Sequence, residues 1–127
     1  MSRETIQTEN APAAIGPYSQ AVAADGVLYV SGQIPLDPVS GEIVEGGLSA
    51  QTTRVLENLK AVVEAAGGDL GKVVKVTIYI TDMGQFATVN ELYGSYFSAP
   101  FPARACVEVS ALPKGVEVEM DAIAHLA

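Results

Sequence analysis

The sequence predicts a single α/β (α+β) domain, residues 1–127, built on a mixed sheet of about six strands with two helices on one face. Three observations lead there. The length of 127 residues suits one domain. Apolar residues switch along the chain between period two and helical spacing, in the order ββαβαββ. Turn formers punctuate each switch, and no long linker, repeat or low-complexity run interrupts the series.

Residues 20–34 hold two β-type runs broken at Asp25-Gly26, a dipeptide suited to a hairpin turn. After the turn formers of 36–41 and Gly46-Gly47, the apolar positions Val55, Leu56, Leu59, Val62, Val63 and Ala66 trace one face of a helix. Gly67-Gly68 should end it, because left-handed backbone angles cost glycine little. Residues 72–81 are dense in β-branched side chains, as a central strand requires. Asp82 with Gln85 resembles a capping box opening a second helix, in which Phe86, Val89, Tyr93 and Phe97 recur at helical spacing. Strands near 103–110 and 116–125 complete the set. In the last, Val116, Val118, Met120, Ala122 and Ala124 alternate with Glu117, Glu119 and Asp121, giving an apolar and an acidic face.

Composition narrows the function. Hydrophobic residues make up 49% of the chain and charged ones 17%, against about 25% in ordinary soluble domains. Part of the apolar surface is therefore expected to be covered by further copies of the chain. Fifteen acidic against seven basic side chains leave a net charge of −8, which disfavours nucleic acid as a partner. No apolar stretch approaches the ~20 residues that span a bilayer, and no secretory signal is apparent behind Met-Ser-Arg-Glu-Thr, so neither membrane nor export is expected. One cysteine, Cys106, allows no intramolecular disulfide and fits the reducing cytoplasm. One histidine, His125, and that cysteine cannot complete a metal site, so no metal is expected.

The chemistry is expected in residues 101–109. Arg104 is the only basic residue between Lys75 and Lys114, and it stands in a small, apolar run where a charge needs a fixed anionic partner. Two readings are open: a clamp for a ligand carboxylate, which the planar guanidinium matches bidentately, or a structural ion pair with Glu108, Glu119 or Asp121. Alternation puts Cys106 on the face of Arg104. With no histidine nearby in sequence to act as base, its thiol reads as a small buried hydrophobe, and His125 as a frayed surface residue.

The segments Ala-Ile-Gly-Pro-Tyr-Ser-Gln-Ala (14–21), Val-Ser-Gly-Gln-Ile-Pro (30–35), Asn58-Leu with 65–67, and Phe-Pro-Ala-Arg-Ala-Cys-Val-Glu-Val (101–109) with Val-Glu-Met (118–120) resemble the RidA/YjgF reactive-intermediate deaminase family. The resemblance runs over nearly the whole chain. It implies a chorismate-mutase-like subunit in a homotrimer, with sheets facing inward, helices outside and clefts between subunits. It implies cofactor-independent hydrolysis of 2-imino acids, the enamine/imine products of serine and threonine dehydratases, to 2-keto acids and ammonia.

Roles carry over residue by residue. Arg104 would bind the substrate carboxylate, and Glu119 would hold the attacking water with the backbone carbonyl of Cys106. Tyr18 and Ser31 would position substrate or move a proton, Asn90 would add a polar pocket contact, and Gly32 would let ligand and backbone approach closely. Two other roles stay open beside catalysis: a non-catalytic sensor of small carboxylates, and an RNA-directed, translation-inhibiting or holdase role. Chorismate mutase itself is disfavoured, since shared architecture does not establish shared activity.

Overall fold

A computed structural model describes residues 2–127. The strands are β1 (Arg3–Ile6), β2 (Ala21–Ala24), β3 (Val27–Gln33), β4 (Val73–Ile80), β5 (Ala103–Glu108) and β6 (Val118–His125). The helices are α1 (Gly47–Ala65) and α2 (Phe86–Tyr96). One six-stranded sheet has the order β1-β2-β3-β6-β4-β5, and it is mixed because β4 and β5 pair in parallel while every other pair is antiparallel.

Local chemistry explains the joints. Asp25 (φ 51°) and Gly26 (φ 77°) take the paired left-handed angles that let two-residue hairpins follow strand twist. α1 ends where Gly67 (φ 90°) turns, with the Gly67 and Gly68 amides donating to Glu64 and Val63 carbonyls, so the last turn's acceptors are satisfied. The start of α2 differs from the expected capping box. Asp82 accepts from the Gly84 amide and from the Gln85 side chain, which caps a separate 3₁₀ turn (Met83–Gln85), and α2 begins only after it.

The first strand, β1, was absent from the expected order. Only Ile6 of its four residues is buried, so no apolar alternation marks it, and it forms because β2 offers an open edge. β5 and β6 follow each other in sequence but are not neighbours, since β4 lies between them. His125 is not frayed: it closes β6 opposite Val27, although its side chain is exposed.

Leu56, Leu59, Val62 and Val63 of α1 meet Val76, Ile78 and Ile80 of β4 and Val118, Met120, Ala122 and Ala124 of β6 in one core. Each fully buried leucine stabilises the fold by about 1.5–3 kcal/mol relative to exposure, so this helix-to-sheet layer orders both elements. Three polar side chains in α1 are also buried. Asn58 donates to the Ile34 and Leu36 carbonyls and accepts from Arg54, Gln51 accepts from the Glu117 amide, and the Thr52 hydroxyl has no partner among the described residues. The opposite face of the sheet carries no helix and exposes Tyr29 (51%) and Val107 (42%). Among the described residues, no helix is long and apolar enough to cross a membrane.

Candidate functional site

Arg104 lies on β5 opposite Val76 of β4, a fully buried residue of the helix-covered face. Its guanidinium accordingly reaches α2. An Nη1 N–H donates to Asn90 Oδ1 at 2.7 Å, and the guanidinium carbon lies 5.2 Å from the Phe86 ring centre and 4.9 Å from that of Tyr93. The expectation of a costly buried charge is corrected here. β5 is an edge strand and Arg104 is exposed, so within the single chain its charge is not buried. Within one chain the ion-pair reading is corrected as well. No carboxylate among the described residues lies within salt-bridge distance of Arg104, and Glu108, one proposed partner, accepts from the Met83 amide.

Cys106 shares that face, opposite Ile78, and is half-buried. Burial pushes its thiol pKa up, and the nearby Arg104 offsets this only in part. Little thiolate forms at neutral pH, so its side chain is a poor nucleophile. Asn90, Tyr93, Gly94, Phe101, Pro102 and Arg104 line an open cleft of about 480 Å³ on this side.

Glu119 lies elsewhere. It pairs with Tyr79 on the face that no helix covers, beside Asp121, whose carboxylate accepts from the Tyr79 hydroxyl at 2.9 Å. Burial, then the charge of Asp121, raises the Glu119 pKa above the usual carboxylate value. Its side chain crosses Gly32. A Cβ at position 32 would come within 2.9 Å of Glu119 Cδ and closer still to Oε2. The register of β3 against β6 shifts between Val30 and Gln33, and this bulge carries Ser31 and Gly32. The close approach expected at Gly32 is thus made in this chain by Glu119.

Ser31 donates its hydroxyl to the Ser19 carbonyl at 2.6 Å, tying β3 to the loop that presents Tyr18. Tyr18 is about half exposed, and its amide donates to the Gly16 carbonyl. Gln20 anchors that loop from a buried position by donating to the Thr8, Ala11 and Pro12 carbonyls and accepting from the Thr8 amide.

The candidate residues therefore fall into two groups. Arg104, Cys106 and Asn90 stand together on the helix side at the β5 edge. Glu119, Gly32 and Ser31 stand together at β3 and β6, where Tyr18 joins them through Ser19. Sequence reading missed Phe86 and Tyr93 as neighbours of Arg104, and Tyr79 as the partner of Asp121. Aromatics four residues before and three after Asn90 were the available signal, but at core spacing they also fit ordinary helix burial.

Fold and site together define a small α/β domain with an exposed guanidinium on one side of its sheet and, on the other, a carboxyl group whose pKa is raised by burial. Residues 8–126 match the family described as Endoribonuclease L-PSP, and the chain belongs to this family, also called YjgF/RidA. A 2-iminobutanoate/2-iminopropanoate deaminase of Salmonella typhimurium is 53% identical, covering 95% of this chain and 96% of the relative. A RutC family protein of Pyrococcus horikoshii is 56% identical over 97% of this chain and 98% of its own. The crystal structure of E. coli TdcF with bound serine superposes with a TM-score of 0.93 at 45% identity, covering 98% of this chain and 99% of that one.

Proposed function

We propose that this protein hydrolyses small 2-imino acids to 2-keto acids and ammonia, in the cytoplasm and as a homotrimer. The observation that carries the reading is the Arg104 guanidinium, held at one edge by Asn90 and by no carboxylate among the described residues. Its other N–H donors suit a planar carboxylate. The named activity of the Salmonella relative and the serine bound to TdcF agree with a ligand of that class.

In this reading the substrate carboxylate binds Arg104, and C2 stands beside a water held by Glu119 and the Cys106 carbonyl. Water adds to C2 of the protonated imine as a proton passes to Glu119, giving a neutral carbinolamine. The proton returns from Glu119 to nitrogen; as the C–N bond breaks and ammonia leaves, the Glu119 carboxylate takes the proton of the carbinolamine hydroxyl, so that the C2 carbonyl forms, and then passes it to the departing ammonia or to water. Tyr18 and Ser31 position the substrate. A Glu119 pKa raised above the usual value makes it a better proton acceptor, because base strength rises with pKa.

The placement of the residues adds a condition. C2 is one bond from the carboxylate, yet Arg104 and Glu119 occupy opposite faces of one chain's sheet. We therefore propose that each cleft combines the Arg104 edge of one copy with the Glu119 face of another. Addition of the protein to a threonine dehydratase reaction should hasten keto-acid appearance. No acceleration, or full acceleration by Arg104→Ala, would overturn the proposal.

A further inference from the structure

We infer that Phe86 and Tyr93 are positioning residues that fix the plane of Arg104, so that α2 presets the clamp before any ligand arrives. The inference rests on the carboxylate-binding reading of Arg104 and deepens it.

Two observations and two physical arguments support it. Phe86, Asn90 and Tyr93 fall within a sector of about 60° on α2, since each residue advances the helix by about 100°. That sector meets the guanidinium three times, with two rings near its carbon and one amide oxygen at Nη1. A delocalised planar cation gains from aromatic faces in a way that leaves its remaining N–H edge available. The tie to Asn90 alone would let the guanidinium swing about a single hydrogen bond, whereas rings near its carbon restrict the tilt.

Tyr93 is well built for this. It is only 4% exposed, and its ring packs against Phe97 with centroids 4.6 Å apart, so it is fixed from behind. Its hydroxyl is buried with no hydrogen-bond partner among the described residues. An unpartnered buried hydroxyl is a cost, so the hydroxyl does not account for an aromatic residue at this position. Burial raises the phenol pKa, which keeps the ring neutral at physiological pH. What Tyr93 offers Arg104 is its ring face.

The test uses the full-length protein, pyruvate as the carboxylate probe in titration calorimetry, and imine turnover. Tyr93→Leu and Phe86→Leu should each raise the pyruvate Kd and the imine KM together, by roughly 2- to 30-fold, the span of cation–π energies converted to affinity. Tyr93→Phe, which keeps the ring, should restore what Tyr93→Leu loses. A purely structural role would behave differently: the fraction of competent protein and the binding stoichiometry would fall, with Kd and KM of the surviving molecules unchanged. That result in both leucine variants, or a Tyr93→Phe variant as weak as Tyr93→Leu, overturns the inference. Phe86 is only half-buried, so its variant supplies the answer if Tyr93→Leu does not fold. Wild-type protein that binds no pyruvate and turns over no imine would instead sink the clamp reading itself. Pyruvate bound by wild type, lost in Arg104→Ala and indifferent to the ring variants would remove the positioning role alone.

Discussion

Gly32→Ala probes the role of Glu119 without changing the chemistry of its carboxylate. The added methyl would lie 2.9 Å from Glu119 Cδ and closer still to Oε2, while comfortable carbon–carbon contact needs about 3.5–4.0 Å, so the carboxylate must retreat by at least about 1 Å. The group that yields is the far end of a flexible side chain, and Gly32 does not have a left-handed φ. The fold should therefore persist, helped by about 0.4–1 kcal/mol from a stiffer unfolded chain. Activity should not persist, because a 1 Å displacement of a reacting group costs on the order of 100-fold in rate. The assay is keto-acid formation from dehydratase-generated imine, with thermal melting run in parallel.

A double-mutant cycle supplies the decisive comparison. If Gly32 acts by making room for Glu119, Gly32→Ala should cost nothing further in a Glu119→Gln background. Wild-type rates in Gly32→Ala would refute the reasoning. So would a loss of the same size in both backgrounds, since it would mean that the methyl obstructs the ligand itself.

Three further expectations follow from the same geometry. Asp121→Asn removes the charge that helps raise the Glu119 pKa, so the acid limb of the kcat–pH profile should move to lower pH; an unmoved limb would separate that titration from Glu119. The sign follows from Glu119 acting as a base: activity is lost as pH falls through its raised pKa, and lowering that pKa widens the active range. Cys106→Ala keeps the backbone carbonyl and removes only a largely protonated thiol, so turnover measured in the same assay should persist, and its abolition would restore the thiol to the mechanism. Tyr29→Glu places a charge on the helix-free sheet face, which is exposed in the single chain; if the proposed trimer covers that face, the charge would be buried without a partner at a cost of about 3–5 kcal/mol. Sedimentation should then show monomers, and activity should vanish with the trimer; active monomers would contradict a cleft shared between copies.

Much of the fold was legible because its signals are local. Asp25-Gly26 encodes its hairpin in two residues, β4 in a run of β-branched side chains, and the end of α1 in Gly67-Gly68. β1 was not legible, because four mostly exposed residues become a strand only when β2 pairs with them. The burial of Gln51, Asn58 and Gln20 was not legible for a related reason: their partners are backbone groups on distant segments.

The site divides along the same line. Alternation within β5 placed Arg104 and Cys106 on one face, and alternation within β6 separated Glu119 from the core-facing Val118 and Met120. Neither pattern states which side of the shared sheet each face occupies. That relation comes from register, and it is β4, pairing Val76 with Arg104 and Tyr79 with Glu119, that sets the two groups on opposite sides. The sequence by itself determined which residues carry a guanidinium and which a carboxylate, the alternation that displays them, and the apolar surplus of the chain. Only tertiary structure decided that Arg104 rests against Phe86 and Tyr93, that Glu119 passes over Gly32, and that one chain keeps the two apart. The physical reason is that side-chain chemistry and strand period are properties of neighbouring residues, whereas facing and distance are fixed by pairings between segments far apart in the chain.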